Sequence, residues 1–131
     1  MIVVDTCAIL WDALDSAKLS VKARQALDKA SESHTLLISD ISLWEIAMLI
    51  SKKRVQIEET PANFLRLVLS ARNYQVVGIS PEIADLSVNL DARINGDPAD
   101  RLIVATSLIK QAPLITADGN LIGAGIVEII W

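Results

Sequence analysis

Apolar and polar positions alternate along this chain in blocks rather than singly. Ile2-Val3-Val4 is a short β-branched run with no polar face, as expected of a strand covered on both sides in a parallel sheet. Thr35 to Ile38, Gln75 to Ile79, Leu114 to Thr116 and Val127 to Ile130 read as four further strands. Between them the period changes to that of helices. Thr6 to Leu14 turns inward with Ile9, Leu10 and Leu14, with Trp11 beside them. Ser20 caps a helix over Val21 to Ser31, whose apolar positions are Val21, Ala23, Ala26, Leu27 and Ala30. Ser39-Asp40 offers a cap for Ile41 to Lys53, apolar nearly all round. Thr60-Pro61, Ser80-Pro81 and Asp97-Pro98 each open another helix, proline being favoured in the first turn. The helix after Asp97 runs to about Lys110 and is stopped by Pro113.

Strands alternating with helices predict an α/β fold: a three-layer α/β/α arrangement around a five-stranded parallel sheet of order 3-2-1-4-5. No linker, repeat or low-complexity tract divides residues 1–131, so one domain is expected.

That architecture decides where chemistry would lie. In a parallel sheet, a helix following a strand starts at the strands' carboxyl edge. A helix leading into a strand starts there too. Asp5 ends the first strand, Glu45 lies early in the helix after the second, and Asp100 is in the first turn of the helix before the fourth. Asp118 follows the fourth strand directly. All four project towards one rim, where open α/β sheets bind ligands. Each has an ordinary structural reading as well. Asp97 before Pro98 is an N-cap, Asp100 suits the helix dipole, Glu45 with Ser42 resembles a capping box, and Asp118-Gly119 resembles a turn. Their coincidence carries more weight, because carboxylates a few ångströms apart repel by roughly 1–3 kcal/mol per pair. Arg101 is the only cation at a matching position, where it would pair with an acid or touch a phosphate. Hard divalent ions, Mg²⁺ or Mn²⁺, suit such an all-oxygen set. Zinc does not, since Cys7 and the lone His34 supply no ligand set. Ions of this kind activate water and steady the leaving oxygen in phosphodiester hydrolysis, with Thr6 and Thr116 in support.

Composition sharpens the picture. Residues are 52% hydrophobic and the mean hydropathy is +0.42, yet Ile41 to Ile50 is too short and too interrupted to span a bilayer. The surplus implies an apolar surface covered by a partner. Met1 leads straight into the first strand, leaving no room for a signal peptide, and one cysteine permits no internal disulfide; a reducing cytoplasm is expected. A net charge of −4 opposes general attraction to nucleic acid, so a polyanionic substrate would depend on bound cations and a local basic patch. Lys52-Lys53-Arg54 reads instead as a solvated helix end.

Four ordered blocks carry a resemblance: Val4-Asp5-Thr6-Cys7-Ala8-Ile9-Leu10-Trp11, Ser42-Leu43-Trp44-Glu45-Ile46-Ala47, Asp97 to Thr106 and Ile115-Thr116-Ala117-Asp118. Together they resemble the PIN-domain ribonucleases, specifically the VapC-type toxins of prokaryotic toxin–antitoxin pairs. The resemblance implies Mg²⁺- or Mn²⁺-dependent cleavage of RNA by the quartet Asp5, Glu45, Asp100 and Asp118, with Asp5, Asp100 and Asp118 as metal ligands. It implies a homodimer and a cognate antitoxin that blocks the site. Asp97 matches the cap rather than a ligand. Two positions depart from the pattern: Asn95 stands where a His is common, and Leu49 where a Lys is common. A non-catalytic module of the same fold is the alternative. A receiver domain fits poorly because Ile79-Ser80 supplies no phosphoacceptor, and a haloacid-dehalogenase-like phosphatase needs a second Asp where this chain has Cys7.

Overall fold

A computed structural model describes all residues, Met1–Trp131. The strands β1 (Ile2–Val4), β2 (Leu36–Ser39), β3 (Gln75–Val77), β4 (Leu114–Ile115) and β5 (Ile129–Ile130) form one sheet of order β3-β2-β1-β4-β5, with every pairing parallel. The helices are α1 (Thr6–Leu14), α2 (Val21–Glu32), α3 (Asp40–Ser51), α4 (Pro61–Ala71), α5 (Pro81–Val88), α6 (Pro98–Lys110) and α7 (Gly119–Ala124). The fold class and strand order expected from the sequence are those observed.

Register explains why the sheet needs no polar face. Val3 is paired with both Leu37 and Leu114, and all three belong to one apolar cluster with Ile103 and Val104 of α6 and Leu121 of α7. Val4 is paired with Ile115, and with Leu36 and Ile38 they enter the opposite cluster, closed by Ile9 of α1, Leu27 of α2, Ile46 of α3 and Phe64 of α4. Successive strand side chains point to opposite faces, so the three central strands β1, β2 and β4 each serve two cores at once. Each fully buried Leu, Ile or Val contributes about 1.5–3 kcal/mol relative to exposure.

Several element boundaries differ from the sequence reading. β3 ends at Val77 rather than Ile79, because the Ile79 amide donates to Asp40 Oδ2 instead of to a strand. β5 starts at Ile129 rather than Val127, after the chain leaves α7 through Gly125 in the left-handed region at φ +65°. α7 itself was unforeseen. Gly119, Asn120 and Gly123 are poor helix formers, but Asp118 caps the helix and Leu121 and Ala124 are buried beneath it. No helix is long and apolar enough to cross a membrane.

Candidate active site

The acids at the carboxyl rim are placed by helix starts. Asp5 is the N-cap of α1: its Oδ1 accepts from the Ala8 amide at 2.8 Å. Asp118 caps α7 in the same way, accepting from the Leu121 amide at 3.0 Å. Asp97 caps α6 and Asp100 lies in its first turn. Glu45 is one turn into α3, whose cap is Ser39. The capping-box reading of Ser42 and Glu45 therefore fails: Ser42 is buried inside the helix and hydrogen-bonded to Thr6 Oγ1 at 2.9 Å.

One cleft of about 380 Å³ is lined by Asp5, Glu45, Asp100 and Asp118, with Thr6, Cys7, Trp11, Leu49 and Ala117 completing its wall. A larger concavity of about 560 Å³, around Ile50 and Val55 to Glu58, has no convergent constellation of acids. The four acids singled out from the sequence thus share one cleft, with no lysine or arginine in its lining.

Hydroxyls orient two of the acids. Thr116, fully buried, donates to Asp5 Oδ2 and accepts from the Asp118 amide at 3.1 Å. Thr6 donates to Glu45 Oε1 at 2.5 Å. Asp100 Oδ2 accepts from Asn95 Nδ2 at 3.0 Å.

The electrostatics are those of acids lacking a counter-charge. Burial pushes Asp5 up to about 6 from the ordinary 3.8, against the pull of the Thr116 and Ala8 bonds, and Asp100 and Asp118 push it further. Glu45 and Asp100 are both raised, first by burial and then by neighbouring carboxylates. Cys7, on the cleft wall, is raised to about 11 by its partial desolvation there and then by the same acids, so it stays a neutral thiol. Asp97 acts on Glu45 more strongly than any other carboxylate, which the sequence reading had not assigned to it.

Arg101 corrects an expectation. It pairs with no acid: Nε donates to the Ser87 carbonyl, Nη2 to Leu90, and Nη1 to Ile94 and Asn95, at 2.8–3.2 Å. Four of its five donors are thus engaged on backbone carbonyls.

The donor set is anionic, all oxygen and uncompensated by cations, which suits Mg²⁺ or Mn²⁺. No three of these side chains are grouped as a preformed cage. By chemistry, then, the residues fit a hard divalent ion that would draw them together.

The PIN domain family model matches residues 2–125. Ribonuclease VapC22 of Mycobacterium tuberculosis (strain ATCC 25618 / H37Rv) is 33% identical over 120 residues, covering 92% of this chain and 88% of that protein. VapBC2 from Rickettsia felis, solved bound to a DNA fragment from its promoter, superposes with a TM-score of 0.74 at 20% identity, over 98% of this chain and 97% of that one. A toxin–antitoxin complex from Klebsiella pneumoniae gives a TM-score of 0.67 at 22% identity, over 100% of this chain and 97% of that one.

Proposed function

This chain belongs to the PIN-domain family, and from that premise we propose that it is a Mg²⁺- or Mn²⁺-dependent endoribonuclease that acts as a VapC-like toxin. The observation that carries the proposal is the convergence of Asp5, Glu45, Asp100 and Asp118 on one cleft without a cation. The 33% identity to a ribonuclease supports RNA as the substrate.

Asp5, Asp100 and Asp118 would hold the ion. When bound, it supplies a Lewis acid for a phosphoryl oxygen and lowers the pKa of a coordinated water. Thr116 holds Asp5 in one rotamer by its hydrogen bond to Oδ2. Thr6 holds Glu45 through Oε1 and leaves Oε2 without a protein donor. Glu45 Oε2 would therefore be the atom free to accept a proton from a water in the cleft, and burial raises the basicity of this carboxylate. Trp11, Leu49 and Ala117 give the cleft an apolar wall beside the acids.

Partners follow from the surface. Trp44 of α3 is a large aromatic side chain left 60% exposed, which supports a protein partner there. A cognate antitoxin, as in the toxin–antitoxin complex that the fold matches, and a second copy of the chain are the partners proposed. The one cysteine is free, which suits the cytoplasm.

Incubating the purified protein with total RNA, with and without Mg²⁺ or Mn²⁺, tests the reading. Defined new ends that appear only with the ion and vanish with chelator are expected. RNA left intact by folded, ion-supplied protein would overturn it.

A further inference from the structure

The loop before α6 is held more firmly than a surface loop requires. Arg101 gathers the carbonyls of Ser87, Leu90, Ile94 and Asn95, which fixes where Asn95 stands. The Asn95 side chain then serves three partners: Oδ1 accepts from the Asp97 amide at 2.8 Å, and Nδ2 donates to Asp100 Oδ2 at 3.0 Å and to Asn120 Oδ1 at 3.1 Å. Asn120 Oδ1 also accepts from the Asn95 amide at 2.9 Å, while its Nδ2 donates to the Arg93 carbonyl at 2.9 Å. Asn120 lies on α7, two residues beyond the Asp118 that caps it.

We propose that Asn95, braced by Asn120, is the positioning residue for Asp100, fixing that carboxylate relative to Asp118 across the cleft. The proposal rests on the metal-nuclease reading above. Asp100 and Asp118 stand at the starts of two different helices and repel each other. A neutral amide is suited to join these two starts. It donates to a carboxylate without neutralising it, so Asp100 keeps its full charge for a cation, as a lysine or arginine would not allow. One oxygen of Asp100 is fixed and Oδ1 accepts no hydrogen bond from the protein. Groups that orient a metal-binding carboxylate change affinity or activity by about 10–100-fold when removed.

Asn95→Ala, Asn120→Ala and the double variant test this, each read by Mn²⁺ affinity from the free-ion EPR signal, by initial rate on total RNA and by thermal midpoint. Asn95→Ala should weaken Mn²⁺ binding and slow cleavage by about 10–100-fold. Asn120→Ala should do the same to a smaller degree, and the double variant should be no worse than Asn95→Ala, because both lie on one path. A lowered midpoint with unchanged Mn²⁺ affinity and rate would make Asn95 merely structural and overturn the proposal. So would strictly additive effects. If Asn95→Ala does not fold, unchanged Mn²⁺ affinity in Asn120→Ala overturns it equally. Wild-type protein that neither binds Mn²⁺ nor cuts RNA would defeat the nuclease reading and this one together, whereas wild type that does both beside unaffected variants defeats the positioning role alone.

Discussion

Two groups of carboxylates in this molecule met opposite fates. On the outer side of α1, Asp12 and Asp28 share Arg72: its Nε and Nη2 form a two-pronged pair with Asp12 at 2.9 and 2.8 Å, and its Nη1 reaches Asp28 at 2.7 Å. The Arg72 charge is stabilised accordingly, first by the Asp12 bonds. On the rim, Asp5, Glu45 and Asp100 have no such partner, and all three are pushed towards the protonated form. The nearest arginine in sequence, Arg101, turns its guanidinium to backbone carbonyls. The first cluster is satisfied within the chain and acts as a brace between α1, α2 and the end of α4. The second finds no counter-charge within the chain, which is what the metal-dependent site proposed above would require.

The sharpest way to separate the clusters is to remove one charge from the rim. Asp100→Asn or Asp5→Asn should lower RNA cleavage by about 10²–10⁴-fold, since several kcal/mol of transition-state stabilisation are at stake. The same variants should keep or raise the thermal midpoint of the metal-free protein, because each relieves repulsion at little change in volume. Full cleavage by folded Asp100→Asn protein would erase the difference between the two clusters.

A titration gives the next largest effect. Asp5 holds its proton to about pH 6 when folded but releases it near 3.8 when unfolded. Between those values the folded chain binds more protons, so stability falls as pH rises through the window. The loss approaches about 3 kcal/mol above pH 6 in metal-free protein. Denaturant midpoints should therefore be higher near pH 5 than near pH 7, and Asp5→Asn should flatten the difference. Millimolar Mg²⁺ or Mn²⁺ should raise the midpoint more at pH 7 than at pH 5, since the ion competes with protons for the same oxygens. Equal shifts at both pH values would mean that the ion binds elsewhere.

The smallest effect is expected at the satisfied cluster. Arg72→Met strands two partly screened carboxylates and should lower stability by about 2 kcal/mol, with Mn²⁺ affinity and cleavage of the folded protein unchanged. Chemical denaturation beside a Mn²⁺ titration reads both. A change in Mn²⁺ affinity would link the clusters that the structure keeps apart.

Much of this was legible in the chain. Uninterrupted apolar runs at Ile2–Val4 and Leu36–Ile38 can only be covered on both sides, and Ser or Thr before proline marks helix starts at Pro61 and Pro81 by local hydrogen bonding alone. Parallel connectivity then sends every helix start, and hence Asp5, Glu45, Asp100 and Asp118, to one edge without reference to any contact. What only the tertiary structure decided concerns groups with several possible partners close in sequence. Arg101 adjoins Asp100 yet serves four carbonyls; Ser42 has the spacing of a cap yet bonds Thr6; Asn95 joins Asp100 to Asn120. α7 forms against its own propensity because Leu121 and Ala124 find a core to enter. Backbone patterns are set by period and capping over a few residues, whereas the partner a polar side chain takes is set by what the folded chain brings within about 3 Å of it.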